Sequence, residues 1–515
     1  MPAAGEVDGA GSGAGHADGG IGVGADASDH RWRDLWTTVL ARFEEEAGDP
    51  PDEVPEDWER QLLARVLGEE LRLGKRAALV AEAKRKMARA AKGPQGLDLA
   101  RCQHLLRTVA ASHWAEEDAA HLVAEARRHE AAGDGLAARG AYAKALQRGY
   151  ARPWELRLPL AWLAQACGEP DGLAEAERQL RAALAELGQQ GPKAADTRRD
   201  AVTRLGVLLC QAGRDAEAEE LLRPRGFEHR LARGVFRYPL PRDQPAEAAD
   251  TAGVADAGAP LWALDGALSG GMLAHLRSLF GPGAAFWAEH RYNSLSRCCS
   301  EDVGYFSYTH PLSGCAGGST LDGIIRHILD VAKGRFPELS EARFAEWWAH
   351  CRPHPSGHQL HFDSDDEGVG GARHPVCSCV VYVDGAEDFG GPTLVTTQRL
   401  GDAALAARGW LVHPLPGRLV MFDGSVLHGV LPGRGVPPCP EMRRVTWMVA
   451  FWKDVQIRPF AADGLPGSSR PLPPLDAPFA AGGRTYTWQQ QLRPDAGPAA
   501  WAAEAAAAPA EVRPV

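Results

Sequence analysis

Between residues 29 and 230, Leu and Ala return at helical spacing among many Arg and Glu, without the Val/Ile/Thr alternation of strands. That pattern predicts an all-helical region. Three of its segments look alike: AAGDGLAARGAYAKAL ending at Leu146, ACGEPDGLAEAERQLRAAL ending at Leu184, and QAGRDAEAEELL ending at Leu222. Each reads as helix, glycine turn, helix, with Gly133, Gly168 and Gly213 spaced 35 and 45 residues apart. A helical hairpin cannot bury its apolar face alone, so such units are expected to stack. The pattern breaks over 231–260, where Pro, Ala and Asp without periodicity predict a linker. Helical periodicity resumes after Leu261 and marks one apolar face at Leu321, Ile324, Ile325, Ile328, Leu329 and Ala332. Beyond Trp347 come short β segments separated by Gly and Pro, VCSCVVYV, TLVT, RLVMFD and RRVTWMVAFW, which suit a sandwich or barrel. A second domain is therefore expected over 261–460. The Gly-rich start, 1–28, has almost nothing to bury and is expected to be disordered, and the Pro/Ala-rich remainder, 461–515, reads as a tail. The fold class is a multidomain α + β chain.

Composition narrows the function classes. At 515 residues the chain is long enough for two or three cores. Its apolar runs are broken by charge before they reach membrane-spanning length, so no membrane association is expected. A formal charge of −11 gives no basic footprint for a nucleic-acid partner. The first twenty residues have neither a basic start with an apolar core nor any Arg, so a cytoplasmic or nuclear address is the expectation. Ten cysteines without a CxxC pattern fit reduced thiols, and Cys298, Cys299, Cys377 and Cys379 read as structural.

Chemistry gathers in GHQLHFDSDDEG. In an extended strand His361 and Asp363, at i and i+2, would project to one side. A third ligand from a neighbouring strand would complete a two-histidine, one-carboxylate triad, which leaves positions on a metal open. HxD alone means little, because His16-Ala17-Asp18 is also HxD and lies in the Gly-rich start. His361 and Asp363 are distinguished by the series of segments downstream of them: GGPTLV at Gly390–Val395, PLPGRLVMFDG ending at Gly424, SVLHGVLPG around His428, and RRVTWMVAFW from Arg443. A lone His on an apolar strand is more often a satisfied core residue, but His428 occupies a place in this ordered series.

With these elements in order from about 355 to 452, the chain resembles the 2-oxoglutarate and iron(II) oxygenase superfamily, especially its prolyl-hydroxylase-like branch. The resemblance implies a double-stranded β-helix, or jelly roll, with supporting helices. It implies His361, Asp363 and His428 as metal ligands and catalytic centre, and Arg444 with Thr446 as the pair for the distal carboxylate of 2-oxoglutarate. Arg supplies the bidentate, charge-assisted partner that a buried carboxylate needs. Arg444 and Thr446 share a strand face, whereas Arg443 faces the other way. The family often places a Tyr before HxD to contact the co-substrate; this chain has Arg352, His354 and His358 there, and Tyr382 on the next strand is the candidate replacement. Arg352, His358 and Asp365 are carried as candidate substrate contacts, the acidic run Asp365-Asp366-Glu367 reading also as a solvated loop. His310, His374 and His413 have no comparable setting and read as ordinary.

The implied cofactors are Fe(II), 2-oxoglutarate and dioxygen, with ascorbate as accessory reductant. The implied reaction hydroxylates a C–H bond and releases succinate and carbon dioxide; retention of Asp363 argues against halogenation, while demethylation follows where the carbon bears nitrogen. The glycine spacing of the helical region is similar to that of tetratricopeptide repeats, whose period is about 34 residues. Such a region beside an oxygenase suggests a protein or peptide substrate, with a small metabolite as the alternative within the class. Two different classes stay open: a silent oxygenase fold on a helical-repeat binding protein, and a hydrolase or cupin using the same ligands.

Overall fold

The computed structural model describes residues 118–188, 194–227, 231–240, 259–292, 306–313, 319–365, 371–459, 467–472, 487–493 and 511–513, with isolated positions elsewhere. The expected disordered start, Cys298–Cys299, and Asp366 with Glu367 lie outside the described residues. The chain divides into two compact units, residues 1–117 and Asp118–Val515.

The helical part of the second unit consists of three successive helix–glycine turn–helix pairs. Helical residues 118–131 precede α1 (Gly135–Gln147); α2 (Pro153–Ala166) precedes α3 (Gly172–Leu187); α4 (Ala195–Gln211) precedes α5 (Asp215–Leu222). The turn glycines Gly133, Gly168 and Gly213 are all left-handed, at φ 81°, 73° and 76°, a conformation that Cβ-bearing residues resist. Asp134 starts α1 by accepting a hydrogen bond from the Ala137 amide at 2.9 Å, and α2 starts on a proline, whose missing N–H is not needed there. Leu158, Leu180, Leu187, Leu205 and Leu209 merge the later helices into one apolar cluster, while Tyr142, Leu156 and Leu163 join the earlier ones in another. Among the described residues no helix is long and apolar enough to cross a membrane.

The sheet part begins with β1 (Leu261–Asp265), α6 (Gly270–Phe280), α7 (Ala285–Glu289), β2 (Tyr308–Pro311) and α8 (Thr320–Lys333). Then come β3 (Phe344–Arg352), β4 (His358–His361), β5 (Cys377–Asp384), β6 (Thr393–Arg399), β7 (Gly409–Val412), β8 (Leu419–Asp423), β9 (Val426–Val430), β10 (Arg444–Trp452), β11 (Arg470–Pro471) and β12 (Glu511–Arg513). A larger sheet runs β11-β2-β3-β10-β5-β8-β1-β12, and a smaller one β4-β9-β6-β7. Strand alternation divides the larger sheet. Trp347, Cys351, Cys377, Cys379, Val445, Trp447 and Val449 pack with the apolar faces of α6 and α8, whose Leu321, Ile324, Ile325, Ile328, Leu329 and Ala332 are all buried. The intervening residues Trp348, Val380, Tyr382, Phe422 and Met448 pack on Val395, Trp410, Val412 and Val426 of the smaller sheet. The two sheets thus face each other across a core. A residue of β10 is sent either to the helices or between the sheets by the parity of its number.

Two expected boundaries differ from what is observed. Residues 233–237 of the expected linker form a 3-10 turn, and Tyr238 and Leu240 bury against Leu394 and Leu431. The Tyr238 hydroxyl donates to the Pro432 carbonyl at 3.0 Å, and Gln211 Nε2 donates to the Pro432 and Gly433 carbonyls, each at 3.2 Å. Aromatic and aliphatic residues hidden in an Ala/Pro-rich context make this stretch a joint. Likewise the expected tail returns to the core: Trp488, 1% exposed, packs on Phe286, Trp347 and Tyr308, and β12 pairs with β1. Trp488→Ala is expected to destabilise the unit by about 3–5 kcal/mol, read by denaturant unfolding. A loss below about 1 kcal/mol would show this segment to be detachable.

Candidate metal centre

β4 is an edge strand, and its last residue, His361, pairs directly with His428 of β9. Cross-strand pairing brings the ring centroids to 4.3 Å. Each imidazole is fixed by its own strand. His361 Nδ1 lies 2.8 Å from the Gln359 carbonyl oxygen, and His428 Nδ1 lies 3.0 Å from that of Val426. A carbonyl only accepts, so each Nδ1 carries the proton and each Nε2 lone pair is free to bind a metal. Both Nε2 atoms point at one carboxylate oxygen: Asp363 Oδ1 is 3.5 Å from His361 and 3.6 Å from His428. All three ligand atoms lie within 4.8 Å of one another.

Asp363 arrives differently from the expectation. β4 ends at His361, so strand alternation does not by itself aim the carboxylate. Two residues behind it do. Ser378 Oγ donates to Asp363 Oδ2 at 2.6 Å, and His374 Nδ1 lies 2.7 Å from the Asp363 carbonyl oxygen. With Oδ2 occupied by a hydroxyl, Oδ1 is turned toward the histidines. Ser378 sits between two cysteines that read only as core, and His374 read as ordinary. Nothing local marks either of them. Removing the hydroxyl with Ser378→Ala is expected to weaken Ni(II) or Fe(II) binding by about 10–100-fold in calorimetric titration, and an unchanged affinity would deny it the orienting role.

Burial and mutual charge set the electrostatics of the three residues. Burial pushes Asp363 upward, but His428 and His361, with the Ser378 hydroxyl, outweigh it and hold the carboxyl well below its usual range. Burial lowers His361, yet the hydrogen bond and charge of Asp363 leave it above its ordinary value. Burial dominates at His428, which is lowered, and at His358, brought down to about 3.

Two cavities meet at this centre and share Trp348, His350, His358 and His361. The inner one, about 550 Å³ including its mouth, lies between the sheets and is lined by His428, Arg352, Arg444, Thr446 and Ser356. Arg444 and Arg352 are direct cross-strand partners, both nine-tenths buried. Arg444 Nη2 donates to Thr393 Oγ1 at 3.2 Å, while among the described residues Arg444 Nε and Ser356 Oγ are buried without a hydrogen-bond partner. Thr446 lines the same space two residues along β10, beside a bulge opposite β5. Arg443 turns elsewhere and donates to the Pro440 and Met442 carbonyls.

The Gly-Gly-x-Thr segment explains itself here. A Cβ on Gly390 (φ 76°) would sit 2.8 Å from Arg444 Cδ, and one on Gly391 would overlap the Leu431 carbonyl. Only glycine lets the arginine pass and the hairpin close on β9, and Thr393 then receives the guanidinium. Tyr382 does not line the cavity. Fully buried, it binds Thr393 Oγ1 at 2.6 Å and the Val412 carbonyl at 3.1 Å, with Arg444 5.4 Å above its ring, so it braces the arginine from behind. His354 is a structural pin, accepting from the Gly390 amide at 3.0 Å, with its Nε2 2.8 Å from the Arg434 carbonyl.

The outer cavity, about 1140 Å³ with its open mouth, is lined by Asp363, Phe362, Glu346, Trp452 and Asp365. Asp365 Oδ2 is engaged by the Arg373 guanidinium at 2.6 Å and the Gln456 amide at 2.7 Å. Asp365 thus ties the end of the His361–Asp363 segment to Arg373 and Gln456. Arg352 and His358 face the inner cavity. His350 and Glu346 were missed, although counting back by twos from Arg352 along β3 reaches both.

No protein-family model and no curated protein matches the chain. Among solved structures it is similar to a prolyl-4-hydroxylase of Pseudomonas putida, at 23% identity over 26% of this chain and 62% of that one, with TM-score 0.18. It is similar to a 2OG-Fe(II) oxygenase-family oxidoreductase of Burkholderia pseudomallei, at 15% identity over 29% and 67% of the two chains, with TM-score 0.18. HygX of Streptomyces hygroscopicus, solved with nickel and 2-oxoglutarate bound, aligns at 11% identity over 41% of this chain and 91% of that one, with TM-score 0.23. The chain thus spans under two thirds of the length of the Pseudomonas putida structure.

Proposed function

We propose that this chain is an Fe(II)- and 2-oxoglutarate-dependent dioxygenase that hydroxylates a C–H bond on a protein side chain. The observation that carries the reading is the joining of two features. A two-histidine, one-carboxylate cluster has both Nε2 lone pairs presented, and a cavity reached from it contains a buried guanidinium with an unpartnered N–H.

The residues fit both groups. Two neutral imidazoles and one carboxylate suit iron(II) and leave coordination positions for other ligands. The inner cavity offers an anion Arg444 Nε, Ser356 Oγ and the Thr446 hydroxyl, beside a second cation, Arg352. A dicarboxylate placed there would satisfy Arg444 Nε and Ser356 Oγ, which have no hydrogen-bond partner among the described residues. Iron with 2-oxoglutarate and dioxygen supplies the oxidation, yielding succinate and carbon dioxide. His361, Asp363 and His428 would hold the metal; Arg444 and Thr446 would orient the co-substrate, with Thr393 and Tyr382 fixing the arginine. His350 is held neutral by burial, next to the two arginines, and so lines the cavity without charge. In this reading the facing sheets are a jelly roll and the helical units are tetratricopeptide-like, presenting the substrate protein.

Anaerobic titration of the purified chain with Fe(II) and 2-oxoglutarate is expected to give the weak visible charge-transfer band of chelated 2-oxoglutarate, and aeration to give iron-dependent succinate. A metal-loaded protein with neither band nor succinate would return the chain to a silent oxygenase fold.

A further inference from the structure

We infer that the outer cavity selects a substrate bearing a cationic nitrogen, an amine or guanidinium, and that Glu346 is the residue that recognises it. The inference deepens the proposed function and rests on it for the oxidation step. Glu346 lies on β3, on the face that also carries Trp348, His350 and Arg352 between the sheets. It is 5% exposed, yet among the described residues it forms no ion pair. Both of its hydrogen bonds fall on one oxygen: Ser307 Oγ and Ser469 Oγ donate to Oε1 at 2.5 and 2.8 Å. Among the described residues no hydrogen bond falls on Oε2, and Glu346 lines the same cavity that ends at His361 and Asp363.

A carboxyl so buried without a cation is costly, and a structural role in bracing two serines could be filled by an amide. Burial pushes the Glu346 carboxyl above its ordinary value, while the two hydroxyls pull it down and Asp363 and Asp365 push it up again. A bound cation supplies the missing partner and favours the ionised form. Arg458 also lines the cavity, its guanidinium donating to Ser468 Oγ, while on the Glu346 side the walls are aromatic. Trp348 and Trp452 flank Glu346 on the neighbouring strand positions, and their ring faces attract ammonium and guanidinium groups. Asp365, already bound to Arg373, adds negative potential at the same cavity without being the primary contact.

The test uses the full chain loaded with Ni(II) and 2-oxoglutarate, so that the metal neutralises the Asp363 carboxylate and cannot lend it to the probe. Ligand-observed NMR compares n-butylammonium with neutral n-butanol, and blocked Gly-Lys-Gly with its norleucine counterpart. Each cation is expected to bind about tenfold tighter than its neutral partner, and Glu346→Gln, which keeps the shape and accepts the serine hydrogen bonds, to shrink the difference to within about twofold. A peptide that outbinds the free amine points to a protein side chain, and the reverse to a small amine; both support the assignment. No preference for the cation in the wild-type chain, or one unchanged in Glu346→Gln, overturns it. The wild-type comparison needs no variant and decides alone if Glu346→Gln does not fold. Failure to load Ni(II) and 2-oxoglutarate counts against the oxygenase reading instead, and the four probes are then compared on the metal-free chain in an Asp363→Asn background by the same criteria.

Discussion

Asp363→Ala is expected to abolish both the charge-transfer band and succinate formation, leaving a folded chain that binds Fe(II) more than about 100-fold more weakly. Loss of a residue that merely orients a ligand costs about 10–100-fold in metal affinity, and in the proposed centre Asp363 is itself a ligand and the anion of the cluster. Its Oδ1 is the point on which both Nε2 atoms converge, at 3.5 and 3.6 Å, so the truncation removes the centre of the cluster. Ser378 and the two carbonyl-bound imidazoles remain where they are, since each histidine is held by its own strand. Calorimetric metal titration beside a thermal melt separates loss of the ligand from loss of the fold. A well-folded Asp363→Ala chain that still turns over 2-oxoglutarate would rule out this cluster as the iron site.

The second large effect lies at the far end of the inner cavity. Arg444→Ala is expected to raise the Kd for 2-oxoglutarate by about 30-fold or more, the consequence of taking one partner from a buried, hydrogen-bonded charge pair, which costs about 2–5 kcal/mol. Arg444→Lys recovers only part of this. An ammonium cannot bond Thr393 and a carboxylate in one plane, and it stacks less well over the Tyr382 ring. Metal affinity without co-substrate is expected to stay within about twofold, because the contacts of Arg444 are with Thr393 and Tyr382 rather than with His361, Asp363 or His428. That split distinguishes an oxygenase from a hydrolase or cupin using the same ligands, for which Arg444→Ala would leave activity largely intact.

Legibility in the sequence followed the range of the interactions. Arg444 could be preferred over Arg443 because strand parity is local, and parity sends Arg444 between the sheets while Arg443 binds nearby carbonyls. The apolar face of α8 was readable for the same reason. The aim of Asp363 was not, since it depends on Ser378, fifteen residues away on another strand. Tyr382 carries no mark that separates a cavity-lining phenol from a brace; only its bonds to Thr393 and Val412 decide. Composition misled at both boundaries. Tyr238, Leu240 and Trp488 are single apolar anchors in Ala- and Pro-rich stretches, too sparse to shift a window average but each fully committed to a core.

The joint built by Gln211, Tyr238 and Leu240 bears on how such a chain can be inherited. It grips residues 431–433, just after the strand that carries His428 and on the way to the one that carries Arg444. A recombination event that swapped the helical repeats for another module would have to bring matching donors for the Pro432 and Gly433 carbonyls, and an apolar cover for Leu431. The helices and the sheets are therefore constrained to diverge together at the apolar contact, and substitutions at residues 238 and 240 are expected to co-vary with those at 431, the carbonyls of 432 and 433 being supplied by any residue.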